Sequence, residues 1–173
     1  MGSYLNPGSK GFQESLNSEI YVDKTGLIEK TNAVLDTRQK FLCVSRPRRF
    51  GKSMAADMLA AYYERGEDAD LLFRSLKISK AESYRAHLNQ YDVIKVNIQE
   101  FLSMTGSMDE MLSMLKKYLV FDLMEHFDDV RFRDESNLIQ VMKDIYAKTK
   151  RAFVILIDEW DCLFREYQQD QDS

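Results

Sequence analysis

The turn Gly51-Lys52-Ser53 constrains the fold most, because an apolar run, Phe41-Leu42-Cys43-Val44, enters it and a helix-forming run, Met54 to Tyr63, leaves it. That order predicts strand, loop and helix. Geometry then dictates the chemistry. The backbone N–H groups of the turn and the positive end of the helix dipole converge on one point, where an anion fits. The Lys52 ammonium reaches the outer phosphates of a nucleotide, and the Ser53 hydroxyl ligates Mg²⁺. The expected nucleotide-binding set is Arg46, Pro47, Arg48, Arg49, Phe50, Gly51, Lys52, Ser53 and Met54. The loop departs from the general phosphate-loop pattern, which asks for glycine where Arg46 stands, and Pro47 fixes one dihedral instead. Taken alone, the segment also reads as a polar turn before a helix, with its arginines solvated.

A second stretch favours the nucleotide reading. Phe153-Val154-Ile155-Leu156-Ile157 followed by Asp158-Glu159 has the form of a buried parallel strand with a charged tip. Open α/β sheets bind ligands at such strand ends. Asp158 is expected to hold Mg²⁺, directly or through water. Glu159 is expected to polarise the attacking water as general base, with Lys52 as the second catalytic residue. The competing reading is an acidic helix start after a strand. The long separation from the loop leaves room for intervening crossover units, which makes the joint site the better account.

Four stretches together resemble the bacterial and archaeal AAA-ATPase-like proteins: Tyr21-Val22-Asp23-Lys24-Thr25, Arg46-Pro47-Arg48-Arg49-Phe50-Gly51-Lys52-Ser53, Tyr91-Asp92-Val93-Ile94 and Ile157-Asp158-Glu159. The resemblance runs from about Leu5 to about Trp160. In that family a loop starting without glycine is normal. The resemblance implies an α/β fold, a P-loop NTPase-like three-layer sandwich with a mostly parallel sheet, and ATP with Mg²⁺ as ligands. Members often carry a C-terminal domain resembling a restriction-type nuclease. This sequence holds no such segment, so that activity is not carried over. Tyr21 to Thr25 either lies near the nucleotide base or serves packing.

A chain of 173 residues fits one domain with a substantial core. Two prolines and seven glycines point to a helix-rich chain. The net charge of −4 gives no general nucleic-acid signal. Arg46, Arg48, Arg49 and Lys52 form a local basic cluster. The arginines either clamp the nucleotide's phosphates, solvate the loop, or pair with Asp23 or Glu159. No apolar run approaches membrane-spanning length and no signal-peptide core opens the chain, so the cytoplasm is expected. Cys43 is read as a small hydrophobe buried in the loop-entering strand, and Cys162 as having no metal role. His87 and His126 read as ordinary helix or loop residues.

The expected organisation is an irregular arm over 1–20, a P-loop ATPase-like domain over 21–167 and a polar tail over 168–173. Within it we expect a helix from about Thr25 to Leu35 and the loop-entering strand at 40–45. The helix after the loop carries Met54, Met58, Ala61 and Tyr62 on one face and ends at Gly66. A linker through Leu72, Phe73, Leu76 and Ile78 leads to a short helix near 80–89. Asp92 to Gln99 alternates Ile94, Val96 and Ile98 with Lys95 and Asn97, the pattern of a strand with one exposed face near a sheet edge. Ser107-x-x-Glu110 is a capping box. The helix it starts carries Met108, Met111, Leu112, Leu115, Tyr118 and Leu119, a stripe that reads as core rather than as a partner groove. Another helix starts at Asp134 or Ser136 and turns Leu138, Met142, Ile145 and Tyr146 inward. Trp160 to Tyr167 forms one or two helical turns.

The Asp158-Glu159 pair looks like the branch of P-loop ATPases that inserts an extra strand between the loop strand and the acidic strand. In that branch the extra strand follows the acidic strand in sequence, and the residues after Glu159 are polar and lack a β pattern. The sheet is therefore expected to be incomplete at the C-terminus. A missing C-terminal half, or a second copy of the chain, supplies the strand and an arginine finger; otherwise the two key strands pair directly. Arg165 shows no spacing that marks it as a finger. The leading function is Mg²⁺–ATP binding, with hydrolysis weak or incomplete in this chain alone. The alternative is a non-enzymatic, degenerate P-loop module that binds a protein partner or nucleic acid. A small-molecule kinase shares the loop but needs an acceptor pocket and an Arg-rich lid, for which no segment stands out.

Overall fold

Asp92–Asn97 (β1) and Phe153–Asp158 (β2) are the apolar strands with acidic or polar ends, and they pair in parallel with Asn97 opposite Asp158. Parallel neighbours need a long crossover. Here it is built from Ile98–Ser103 (α6), Met108–His126 (α7) and Leu138–Thr149 (α8). Before β1 come Lys10–Leu16 (α1), Gly26–Asn32 (α2), Lys52–Tyr63 (α3), Asp70–Phe73 (α4), a 3₁₀ turn at Lys77–Lys80, and Tyr84–His87 (α5). This computed structural model describes residues 2–45 and 51–165.

The core divides along β1. Ile94 and Val96 face a cluster with Phe101, Met111, Leu123, Val141 and Ile145, which seats α7 and α8. Val93 faces the opposite cluster, with Phe12, Ile28, Met58, Tyr62, Tyr63 and Phe73 from α1 to α4. Each such side chain stabilises the fold by roughly 1.5–3 kcal/mol when fully buried. The result is an α/β arrangement with helices on both faces of a two-stranded parallel sheet. No helix among the described residues is long and apolar enough to cross a membrane.

Local capping places the helices of the crossover. The Ser107 hydroxyl accepts from the Glu110 N–H at 3.2 Å, and the Glu110 carboxylate accepts from the Gly106 N–H at 2.9 Å. The reciprocal bond thus reaches one residue further back than a standard capping box. Met111 and Leu119 are buried, as a core stripe requires, whereas Leu112 and Tyr118 stay partly exposed. In α8, which Asn137 caps, Val141 and Ile145 point inward and Tyr146 does not.

Several expectations are corrected. Residues 40–45 form no strand, and Phe41 is 87% exposed. An apolar run becomes a strand only when a neighbour takes its backbone hydrogen bonds, and among the described residues nothing pairs with it. Cys43, expected in that strand's interior, is exposed. Direct pairing of this segment with β2 is therefore not found.

β1 stands at an edge of the two-stranded sheet as expected, but it has no solvated face. Its alternation misleads because Lys95 is ion-paired to Asp57 of α3 rather than solvated. Its second edge is covered by the N-terminal segment, where Lys95 N–H donates to Tyr4 O and Asn6 N–H donates to Val93 O. That segment was read as an irregular arm. Instead Leu5 is buried, the Ser3, Tyr4 and Leu5 N–H groups all donate to the Asp122 carboxylate, and α1 follows.

β2 was expected to be buried, yet Ile155 and Ile157 are 52% and 53% exposed. α3 ends at Tyr63 with Glu64 extended, so Gly66 caps no helix. Asn97 stops β1 by accepting from the Gln99 and Glu100 N–H groups, and α6 starts where the strand was expected to continue.

Candidate functional site

Gly51 sits at φ 76°, in the left-handed region, and immediately precedes α3. Only glycine takes that conformation without penalty. A Cβ there would also lie 3.0 Å from Lys24 Nζ, so the Lys24 ammonium rests against the turn. α3 has no side-chain cap and no acidic residue in its first turn. Its leading N–H groups and dipole are thus not neutralised by its own sequence, as an anion site requires.

The tip of β2 meets this turn. Ser53 Oγ donates to Asp158 Oδ2 at 2.7 Å, and Glu159 N–H donates to Asp158 Oδ1 at 2.9 Å. Asp158 is buried. Glu159 has φ 55°, a left-handed conformation costly for a non-glycine residue and of a kind that clusters at functional sites. Lys52 Nζ lies 3.9 Å from Asp161 Oδ1, a carboxylate the sequence did not single out. Gly51, Lys52, Ser53, Met54, Gln99, Glu159 and Arg165 line one cleft of about 500 Å³.

The two residues expected to hold Mg²⁺ fit that ion. Neighbouring ligands of an octahedral Mg²⁺ stand about 2.9 Å apart when the metal–oxygen bonds are ~2.0–2.1 Å. Ser53 Oγ and Asp158 Oδ2, at 2.7 Å, already have nearly that spacing. Elsewhere Asp122, Glu125 and His126 carry donor atoms within 4.8 Å of one another. There both Asp122 oxygens are already taken by backbone N–H groups, and His126 Nδ1 contacts the Asp122 carbonyl.

Of the expected nucleotide-binding residues, Gly51, Lys52, Ser53 and Met54 line the cleft. Arg46, Pro47, Arg48, Arg49 and Phe50 lie outside the described residues. Asp23 and Thr25 have packing roles. The Asp23 carboxylate accepts from the Thr25 hydroxyl and from the Lys77 N–H, while buried Thr25 Oγ1 accepts from the Ile78 N–H. Desolvation opposes the Asp23 charge. The Thr25 hydroxyl, the Lys77 and Thr25 N–H groups and the Lys77 charge outweigh it, and the carboxyl titrates below its ordinary value. Burial, helped by the Asp23 charge, pushes the Tyr21 hydroxyl up. Gln99 and Arg165 were missed as site residues, because neither belongs to a motif and both reach the cleft only through the pairing of β1 with β2.

The chain is 26% identical over 146 residues to a protein of Azotobacter chroococcum mcd 1 described as an uncharacterized protein in the vnfD 5′ region. The match covers 82% of this chain but spans only 25% of that relative's length. No solved structure matches the chain. A sequence model of the family described as Predicted AAA-ATPase matches residues 8–173, and the chain belongs to that AAA-ATPase-like family.

Proposed function

We propose that this chain is a Mg²⁺–ATP-binding P-loop domain whose sheet and ATPase site are completed by a further polypeptide strand. The observation that carries the reading is the 2.7 Å hydrogen bond from Ser53 to Asp158, which brings the glycine turn and the acidic strand tip to one cleft. The α3 N–H groups and Lys52 hold the phosphates. Ser53 and Asp158 hold the metal, which when bound offsets the charge of the phosphate oxygens. Glu159 orients a water. The water oxygen attacks the terminal phosphorus, the bond from that phosphorus to the bridging oxygen breaks, and ADP leaves with the electron pair while Glu159 accepts the water's proton.

The Lys52–Asp161 contact is displaced when phosphates enter, because a polyphosphate offers Lys52 closer acceptors than a carboxylate 3.9 Å away. The exposure of Phe41, Ile155 and Ile157 supports a P-loop NTPase-like three-layer sandwich with a place for one more strand between β2 and residues 41–44. The strand's source is either a second copy or another segment of polypeptide. The same open edge also supports the second reading, a non-enzymatic module that docks a protein strand there.

Titration calorimetry with ATP and Mg²⁺ tests the reading, with micromolar affinity expected. Glu159→Gln should keep that affinity and lose all turnover measured as released phosphate. Where the parent chain releases phosphate, an equal rate from Glu159→Gln would remove Glu159 from its role. Nucleotide-independent capture of a strand peptide, with no heat from ATP, would favour the module.

A further inference from the structure

Two cleft-lining residues lie outside both motifs. Gln99 stands in the first turn of α6, two residues past the tip of β1, and Asn97 at that tip is the register partner of Asp158. Arg165 stands in the helical turn that begins at Cys162. Arg165 Nη2 lies 3.5 Å from Gln99 Oε1, the outer limit of a hydrogen bond. Its Nε is buried and has no hydrogen-bond partner among the described residues. The one contact that Arg165 makes through Nη2 is therefore long, and no described residue holds the guanidinium in a close charge-assisted bond. The cleft it lines is walled by the Lys52–Ser53 turn and by Glu159.

We propose that Arg165 contacts the terminal phosphate of the bound nucleoside triphosphate, with Gln99 as its positioning residue, and so makes the site prefer triphosphate over diphosphate. The inference rests on the Mg²⁺–ATP reading above. Glu159 and Arg165 line the same cleft, so a guanidinium there meets the phosphate that the Glu159-bound water attacks. A planar guanidinium with several donors suits that phosphate's free oxygens. Lys52, at the start of α3, serves the phosphates that a diphosphate also carries.

The test compares Mg²⁺–ATP with Mg²⁺–ADP affinity by calorimetry in the parent chain, Arg165→Ala, Arg165→Lys and Gln99→Ala. Losing a charge-assisted contact should weaken ATP about 10- to 100-fold in Arg165→Ala. ADP affinity should stay within about twofold, which also shows that the variant is folded. Arg165→Lys should recover part of the loss. Gln99→Ala should shift the ATP-to-ADP ratio in the same direction but less. An unchanged ratio in Arg165→Ala, whether both affinities fall together or neither falls, overturns the proposal. If the parent chain binds neither nucleotide, the nucleotide reading itself fails. If it binds both and only the ratio is insensitive to Arg165, the reading stands and this inference does not.

Discussion

Lys52→Ala is expected to weaken Mg²⁺–ATP binding at least about 100-fold, to the point where calorimetry at micromolar protein shows no saturable heat. An ammonium with three donors engages more than one phosphate oxygen, and each charge-assisted bond contributes roughly 1.5–3 kcal/mol. The substitution sits at the first residue of α3, where alanine is a good helix former, so the fold should not suffer. Removing the Lys52–Asp161 contact costs little stability, because at 3.9 Å and partly solvated it is a weak pair. Equal heats from Lys52→Ala and the parent chain would contradict the phosphate role. A parallel loss of thermal stability would mean the residue acts on folding instead.

Asp92→Ala is expected to lower the unfolding free energy by about 3 kcal/mol. Asp92 is fully buried at the start of β1. It accepts from Arg65 Nε at 2.5 Å, Arg151 Nε at 3.2 Å and Asn6 Nδ2 at 3.2 Å. Arg65 follows α3 and Arg151 precedes β2, so one carboxylate ties together the ends of the helix, both strands and the N-terminal segment. Removing one partner of a buried ionic group leaves charge uncompensated, typically at a cost of about 3–5 kcal/mol. The arginine side chains are 39% and 36% exposed and can partly rehydrate, which places the expected loss at the lower end. Asp92→Asn should lose less, because it keeps the shape and one acceptor. Urea unfolding should show a lower midpoint with an unchanged m-value. A midpoint within experimental error of the parent chain would mean that these contacts do not hold the sheet together.

The elements legible in the sequence carry their own local reasons. Gly51-Lys52-Ser53 announces the start of α3, Ser107 and Glu110 announce the start of α7, and the run Phe153 to Ile157 ending in Asp158 announces β2. The errors come from non-local physics. Phe41 to Val44 has the composition of a strand, but a strand is made by its neighbour, and none lies beside it among the described residues. Lys95 reads as a solvent-facing position until Asp57, on a helix far back in the sequence, is seen beneath it. The N-terminal segment shows no regular apolar period, and its order depends on Asp122, 118 residues beyond Tyr4 in the sequence. The site follows the same division. Lys52, Ser53, Asp158 and Glu159 stand in recognisable patterns, whereas Gln99, Asp161 and Arg165 acquire meaning only once β1 and β2 are paired.

The central claim is that the Ser53 turn and the Asp158 tip hold one metal–nucleotide complex between them. Anomalous diffraction from crystals grown with Mn²⁺ in place of Mg²⁺ and a non-hydrolysable ATP analogue tests it most directly. The account predicts one strong Mn²⁺ peak bonded to Ser53 Oγ and to a phosphate oxygen, with Asp158 reaching it directly or through a single water. Nucleotide density outside the cleft, or a metal peak that touches neither Ser53 nor Asp158, would contradict it.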